Sequence, residues 1–167
     1  MFVVDKLTLI PQKLKNSCWY ASAQMLINWR QEVSQSSSGD LIDPSLDADC
    51  RKIRDDNNGL LNPQILAMAK RLGLESVPPM SPTPAAIEGW LRAYGPLWVN
   101  GKKHIVVIGG INGNASSGGE VKIYNPSPID VGKKEWLPFF SWYTGNSNSS
   151  RDTASDVEAV FLHCPQR

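Results

Sequence analysis

The segment Gln12-Lys13-Leu14-Lys15-Asn16-Ser17-Cys18-Trp19-Tyr20-Ala21 decides how the rest of the chain is read. A polar run gives way at Cys18 to apolar residues at helical spacing: Cys18, Ala21, Met25 and Trp29 recur at three- and four-residue steps, and Leu26 widens the stripe. Asn16 or Ser17 is the expected cap. Cys18 therefore stands in the opening turn of a helix, where unpaired backbone N–H groups and the helix dipole favour negative charge. A thiol is a useful nucleophile only when deprotonated, and a helix N-terminus is one way to arrange that. The alternative reading of Cys18 is a small buried core residue.

Downstream, Asn62 as cap, Pro63 in the first turn, Ile65, Leu66, Ala69 and Leu72 on one face and Gly73 as stop predict a second helix. Before it, residues 34–39 read as a polar loop, and the charged stretch from Asp43 to Asn58 has room for one short helix. Pro78, Pro79 and Pro82 mark an extended linker. Thr83-Pro84 then opens a third helix, with Ile87, Trp90, Leu91 and Tyr94 on its stripe and Gly95 at its end.

From Gly95 onward the period becomes that of strands. Leu97-Trp98-Val99 and the run from His104 to Ile111 read as a hairpin turning on Asn100-Gly101, a pair suited to the positive φ angles of a two-residue turn. A connection rich in Gly, Asn and Ser, from Asn112 to Gly119, leads to the strand Val121 to Tyr124. Residues 146–155 form another polar loop, and Val157 to His163 returns as a last strand. Helices first and antiparallel sheet second predict an α+β fold, with no internal repeat. The chain is read as a single domain over 1–167, a helical lobe over about 1–94 carrying the Cys18 helix and a β lobe over about 95–167.

Composition narrows the function. With 167 residues, 41% hydrophobic, 20% charged and a formal charge of +1, the chain is neither a disordered segment nor a binder of polyanions, so no nucleic-acid partner is expected. A chain of this length buries roughly two thirds of the surface it exposes unfolded, so it needs no disulfide scaffold. Its longest apolar run, Ile105 to Ile108, falls far short of the roughly 20 residues that cross a bilayer, and no membrane association is expected. Met1-Phe2-Val3-Val4-Asp5-Lys6 lacks the pattern of a general secretory signal. Cys18, Cys50 and Cys164 cannot all pair; Cys18 is expected to stay free, and a Cys50–Cys164 bridge is left open. No cysteine or histidine pair has zinc-site spacing, so no zinc site is expected.

A cysteine nucleophile needs a general base, and there are two histidines. His104 begins a strongly apolar strand at the edge of a turn, where its ring can face a cleft; otherwise it is an exposed turn residue. His163, beside Cys164, reads as structural. The imidazole needs a third group to hold its tautomer, and Asn125, just after the strand ending at Tyr124, is well placed, with Asp130 as the alternative. Asn125-Pro126 is also an ordinary turn pair. Gln12, six residues before Cys18, is a candidate donor to a developing oxyanion.

Together, Gln12, Cys18-Trp19, Gly95-Pro96 before a strand, His104 at the head of its apolar strand and Asn125 resemble the papain superfamily, in the same order Gln, Cys, His, Asn, over about residues 9–126. The chain lacks the Cys-Gly-Ser-Cys-Trp signature of the plant and lysosomal enzymes. Asn16-Ser17-Cys18-Trp19-Tyr20-Ala21 is instead similar to the bacterial branch of staphopain-like and avirulence-effector proteases, and to compact toxin domains used between bacteria. Asn125 is followed by Pro126 where the family has Ser-Trp. The resemblance implies a papain-like fold, Cys18 as nucleophile, His104 as base, Asn125 as orienter and Gln12 as oxyanion donor, without cofactor.

The resemblance further implies a monomeric cysteine endopeptidase working by thioester acyl transfer on protein substrates. Such an enzyme is secreted or delivered into a target cell by specialised machinery, and a toxin would come with a cognate immunity protein. A glutamine deamidase or transglutaminase would use the same residues. A noncatalytic protein-binding domain on the same fold is the third reading.

Overall fold

The computed structural model describes residues 1–34, 41–77, 82–100, 104–114, 118–139, 142 and 160–165. Helix α1 (Cys18–Ser34) is followed by a 3₁₀ turn (Pro44–Leu46), α2 (Ala48–Asp55), α3 (Asn62–Leu72) and α4 (Pro84–Tyr94). The strands are β1 (Phe2–Val3), β2 (Glu75–Ser76), β3 (Leu97–Asn100), β4 (Ile105–Asn112), β5 (Glu120–Asn125), β6 (Lys133–Pro138) and β7 (Phe161–His163). They form an antiparallel sheet in the order β2-β7-β3-β4-β5-β6, with β1 beside the far end of β4. The expected α+β arrangement is what is found. Two short strands from the first 94 residues, β1 and β2, join the sheet at β4 and β7.

Both faces of the sheet are covered, which is why β4 reads as one unbroken apolar run. Alternation assigns its residues: Trp98, Ile105, Val107, Tyr124 and Leu162 pack against α1 and α3, through Trp19, Met25, Leu26, Ile65, Met68 and Leu72. Leu97, Val99, Val106, Ile108, Ile123 and Phe161 face the other way, onto Ile87 and Leu91 of α4. Trp98 is fully buried, and its indole N–H donates to the carbonyl of Trp19 (3.1 Å), so the sheet holds α1 by a polar bond within an apolar core.

The boundaries of α2, α3 and α4 have local causes. Asp47 caps α2 through the Cys50 N–H (3.0 Å), and Thr83 caps α4 through the Ala86 N–H (3.0 Å). The first turn of α3 is closed by Gln64, whose Oε1 accepts the Leu61 N–H (2.7 Å), which makes Leu61 the cap where Asn62 was expected. Gly73, at φ 86°, ends that helix. Its buried stripe is Ile65, Met68, Ala69 and Leu72; Leu66, expected on this face, is exposed, because the i, i+3, i+4, i+7 row from Ile65 passes through Met68.

The β3–β4 connection also departs from expectation. Asn100 pairs with Ile105, so it belongs to the strand and not to a two-residue turn. Its backbone N–H donates to the Val160 carbonyl and its Oδ1 accepts the Val160 N–H, which ties β3 to the segment leading into β7. Gly101, the loop residues 35–39, Pro78 and Pro79, the whole of the polar loop 146–155 and residues 157–159 lie outside the described residues. Strand β6 was not anticipated; it pairs along the whole of β5.

The three cysteines are free and buried, so the open Cys50–Cys164 bridge is not formed. Burial pushes the thiols of Cys50 and Cys164 up to about 12, which makes both inert at neutral pH. His163 is a core residue, as expected: its ring lies flat on Tyr94 (centroids 3.7 Å apart) and its Nδ1–H donates to the Cys164 carbonyl (2.7 Å). Burial, aided by the charge of Arg30, lowers its pKa below the usual 6.5, against the opposing pull of the Cys164 carbonyl and Glu75.

Two glycines test the packing. Gly95 sits at φ 91°, ψ −154°, and an added Cβ would stand 2.2 Å from the Trp29 ring. Gly95→Ala is expected to cost at least about 2 kcal/mol in urea unfolding, from backbone strain and overpacking together. Gly89, in the middle of α4 with nothing within 4 Å, should gain about 0.5–1 kcal/mol as alanine. For His163 the unfolded state binds more protons just below pH 6.5, so stability is full above that pH and falls as the solution is acidified. The melting temperature of wild type should drop between pH 7 and 5 more steeply than that of His163→Gln.

Candidate active site

The site forms where the N-terminus of α1 meets the head of β4. Cys18 opens α1 and is buried; Ser22, one turn later on the same face, places its Oγ 3.4 Å from the Ile105 carbonyl. The backbone N–H of Ile105 acts on the Cys18 thiol, as do those of Trp19 and of Cys18 itself. The backbone N–H and C=O of Ile105 are thus both engaged by α1, and the residue preceding it is His104. Although 86 positions separate Cys18 from His104 in the chain, the residue that follows His104 is the one whose backbone N–H acts on the Cys18 thiol.

Burial raises the pKa of Cys18 above the ordinary thiol value, and the three amide groups pull only partly in the opposite direction. Left alone, this cysteine is protonated at neutral pH; a thiolate needs a base close by to take the proton. The helix start supplies part of the required field. Tyr20 and Ala21 N–H groups turn back to the Ser17 carbonyl (3.1 and 3.2 Å), while those of Cys18 and Trp19 lean on the sulfur. Ser17 precedes the helix, but its Oγ is engaged with Leu14, accepting from the N–H and donating to the carbonyl (both 3.1 Å), and does not reach forward as a cap.

His104 is half-buried, one residue before β4. Its Nε2 lies 2.5 Å from Asn125 Oδ1 at the end of β5. Asn125 Oδ1 also accepts the Ser127 N–H (2.9 Å), and this fixed backbone donor identifies it as the carbonyl oxygen. Nε2 therefore carries the ring hydrogen, and the acceptor lone pair is on Nδ1. Asp130, the alternative partner, is turned away: it sits at φ 63°, its N–H donates to the Gln12 carbonyl (3.0 Å), and its exposed carboxylate pairs with Lys13 (3.1 Å).

Gln12 is buried beside this group, held by its own backbone. Its N–H donates to the Pro126 carbonyl (2.9 Å). Its side-chain Nε2 donates to the carbonyls of Leu14 and Lys15 (both 2.9 Å), and Oε1 is buried without a hydrogen-bond partner. Both amide hydrogens are therefore spent on the turn before α1, not held out for an incoming oxygen. Trp19, next to the candidate nucleophile, is fully buried and donates its indole N–H to the Asn58 carbonyl (3.1 Å). Asn16 is clasped by Asn57, which accepts its N–H on Oδ1 (3.0 Å) and its Nδ2 on the backbone carbonyl (2.9 Å).

Of the groups that hold the site, the Ile105 and Ser127 amides leave no trace in residue types. Ser22 does: a small polar residue at i+4 from Cys18 on an otherwise apolar face is a sequence signal that was passed over. Among the described residues no cluster of His, Cys, Asp or Glu is arranged to hold a metal ion, and no helix is long and apolar enough to cross a membrane.

Comparison with known proteins bears on this geometry. No curated protein matches the sequence. The fold is similar to that of UfSP from C. elegans, known as a crystal structure, with a TM-score of 0.58 at 13% identity; the match covers 96% of this chain and 34% of UfSP. The chain thus spans about a third of UfSP, and a likeness at that identity speaks for the fold alone. The family described as papain-like cysteine protease AvrRpt2 matches residues 5–146, which take in Gln12, Cys18, His104 and Asn125. With most of its length matched to that family, the chain belongs to the family of the papain-like cysteine protease AvrRpt2.

Proposed function

We propose that the protein is an endopeptidase delivered into a target cell, where it cleaves protein substrates through Cys18, His104 and Asn125. The observation that supports this most directly is the His104 Nε2–Asn125 Oδ1 bond, which leaves the basic lone pair on Nδ1, one peptide unit from the amide that touches the Cys18 sulfur. Nδ1 takes the Cys18 proton, giving a thiolate–imidazolium pair. The sulfur attacks the scissile carbonyl carbon and the carbonyl oxygen becomes negative, within reach of the Cys18 N–H at the head of α1. The imidazolium then protonates the leaving amine and the C–N bond breaks. Water, deprotonated by His104, adds to the thioester, and the C–S bond breaks to return the thiolate.

Gln12 was expected to give the oxyanion a second N–H. In the structure its two amide hydrogens lie on the Leu14 and Lys15 carbonyls, and on this reading one of them turns to the substrate oxygen, beside the Cys18 backbone N–H. Family membership supports delivery by a specialised machine, as in effector proteases, and a toxin used between bacteria would be accompanied by an immunity protein that blocks the cleft. The protein acts as a monomer on this reading, and its partners are the substrate and that inhibitor.

Alkylation of Cys18 by iodoacetamide between pH 4 and 9, followed by peptide mass spectrometry, tests the assignment. Wild type should label quickly well below the ordinary thiol pKa of about 8.5, and His104→Ala should lose that low-pH reactivity. Peptide turnover should fall by about 10²–10⁴ in His104→Ala and by a smaller factor in Asn125→Ala. Slow labelling that is indifferent to His104 would leave a binding domain. A mass gain of about one unit on glutamine, without chain cleavage, would make the enzyme a deamidase acting through the same thioester.

A further inference from the structure

Helix α1 carries Cys18 at its head and Arg30 three turns later, roughly 18 Å away along the axis. Arg30 is only 8% exposed. One of its groups is accounted for: Nη2 donates to the Pro165 carbonyl, just beyond β7. Its Nε–H is buried with no hydrogen-bond partner, and among the described residues no carboxylate stands within ion-pair distance of the guanidinium. The face of Trp29, its centroid 5.7 Å from the guanidinium carbon, offers a weak attraction and no counter-charge. A cation taken out of water is costly unless an opposite charge meets it. Holding Pro165 does not account for that cost, since a neutral donor can satisfy one carbonyl and an apolar residue of the same volume would cover the same surface.

Arg30 also lines a cleft of about 430 Å³ between the C-terminal halves of α1 and α4 and strand β1, within the size range of small-molecule sites. Phe2, Val4, Trp29 and Val33 give it apolar walls. Two other charged side chains stand in the wall. Arg92 is already answered: its Nε pairs with Glu88 (3.0 Å) and its guanidinium carbon lies 4.5 Å from the centre of the Phe2 ring. Asp5 is exposed, and its backbone carbonyl accepts the Trp29 indole N–H (2.9 Å). With Arg92 neutralised, the uncompensated cation in the wall is Arg30, while the Asp5 carboxylate disfavours a second negative charge. The group that suits this balance is a monoanion rich in hydrogen-bond acceptors: a carboxylate fits, a phosphate dianion does not.

We infer that this cleft binds a small carboxylate with an aromatic body. Its oxygens take the guanidinium hydrogens that Pro165 leaves, Nε–H included after a small turn of the side chain, and its ring lies among Phe2, Trp29 and Val33. The site is separate from the one at Cys18 and does not depend on the catalytic reading.

The test titrates the full chain with phenylacetate, with its neutral isostere phenylacetamide and with the dianion phenyl phosphate, by calorimetry and saturation-transfer NMR. Phenylacetate should bind saturably and raise the melting temperature. It should bind about tenfold or more tighter than phenylacetamide, the scale of a hydrogen bond to a charged group, and tighter than phenyl phosphate. Arg30→Met keeps most of the volume without the charge and should erase the preference for the acid over the amide. Should that variant fail to fold, Val33→Phe narrows the cleft with Arg30 in place, and should weaken phenylacetate about tenfold. Cys18→Ala should bind as wild type does. The absence of saturable binding, equal affinity for acid and amide, or binding unchanged by both cleft variants would overturn the inference. Tighter binding of phenyl phosphate would overturn the assignment of a carboxylate, and loss of binding in Cys18→Ala would put the probe in the catalytic site instead.

Discussion

The structure hangs on one contact, between the first turn of α1 and the peptide unit at the head of β4. The Ile105 amide acts on the Cys18 sulfur and the Ile105 carbonyl faces Ser22 Oγ, so the strand's first residue is gripped by the helix on both of its polar groups. Both lie within the main core, where a hydrogen bond left unmade costs about 1–3 kcal/mol. That penalty makes the helix–strand register a matter of one arrangement or none. Because His104 is the next residue back along the chain, fixing Ile105 also fixes where the imidazole begins.

The same burial that fixes the geometry works against the chemistry. Removing Cys18 from water favours the neutral thiol, and the helix amides offset this only in part. The nucleophile is thus made dependent on its neighbour: in this setting a thiolate is stable as one half of an ion pair and not by itself. Asn125 keeps the imidazole turned so that its basic nitrogen is the one facing away from the carboxamide. Cys50 and Cys164, which lie away from the histidine at the head of β4, are pushed up to about 12, Cys164 by burial and Cys50 by burial together with the carboxylate of Asp47.

Much of the architecture was legible because its causes are local. The Cys18, Ala21, Met25 stripe, the Thr83 cap and the Gly73 and Gly95 stops each reflect bonds or dihedral preferences within a few residues. The errors arose where a second element intervened. Leu66 was assigned to the buried face of α3 although Met68 is the residue the sheet and α1 cover, a distinction that depends on which way the helix is rolled. Asn100-Gly101 has the signature of a tight turn, yet Asn100 is held in β3 by Val160, some 60 residues away. Strand β6, with the sequence Lys-Lys-Glu-Trp-Leu-Pro, has no apolar alternation to announce it, since β5 supplies its order from one side.

By itself the sequence determined which residues carry the chemistry, because reactivity belongs to side-chain types and only two histidines and three cysteines were on offer. It also determined that Cys18 heads a helix and that Asn125 ends a strand. The tertiary structure alone decided what those residues touch: that the His104 ring meets Asn125 and not Asp130, that Cys18 is desolvated, and that Gln12 spends its amide on the turn before α1. The physical reason is the range of the forces involved. Propensity and capping act within one turn of helix or one strand, whereas desolvation and the partner of a buried amide are settled only when distant segments have closed around it.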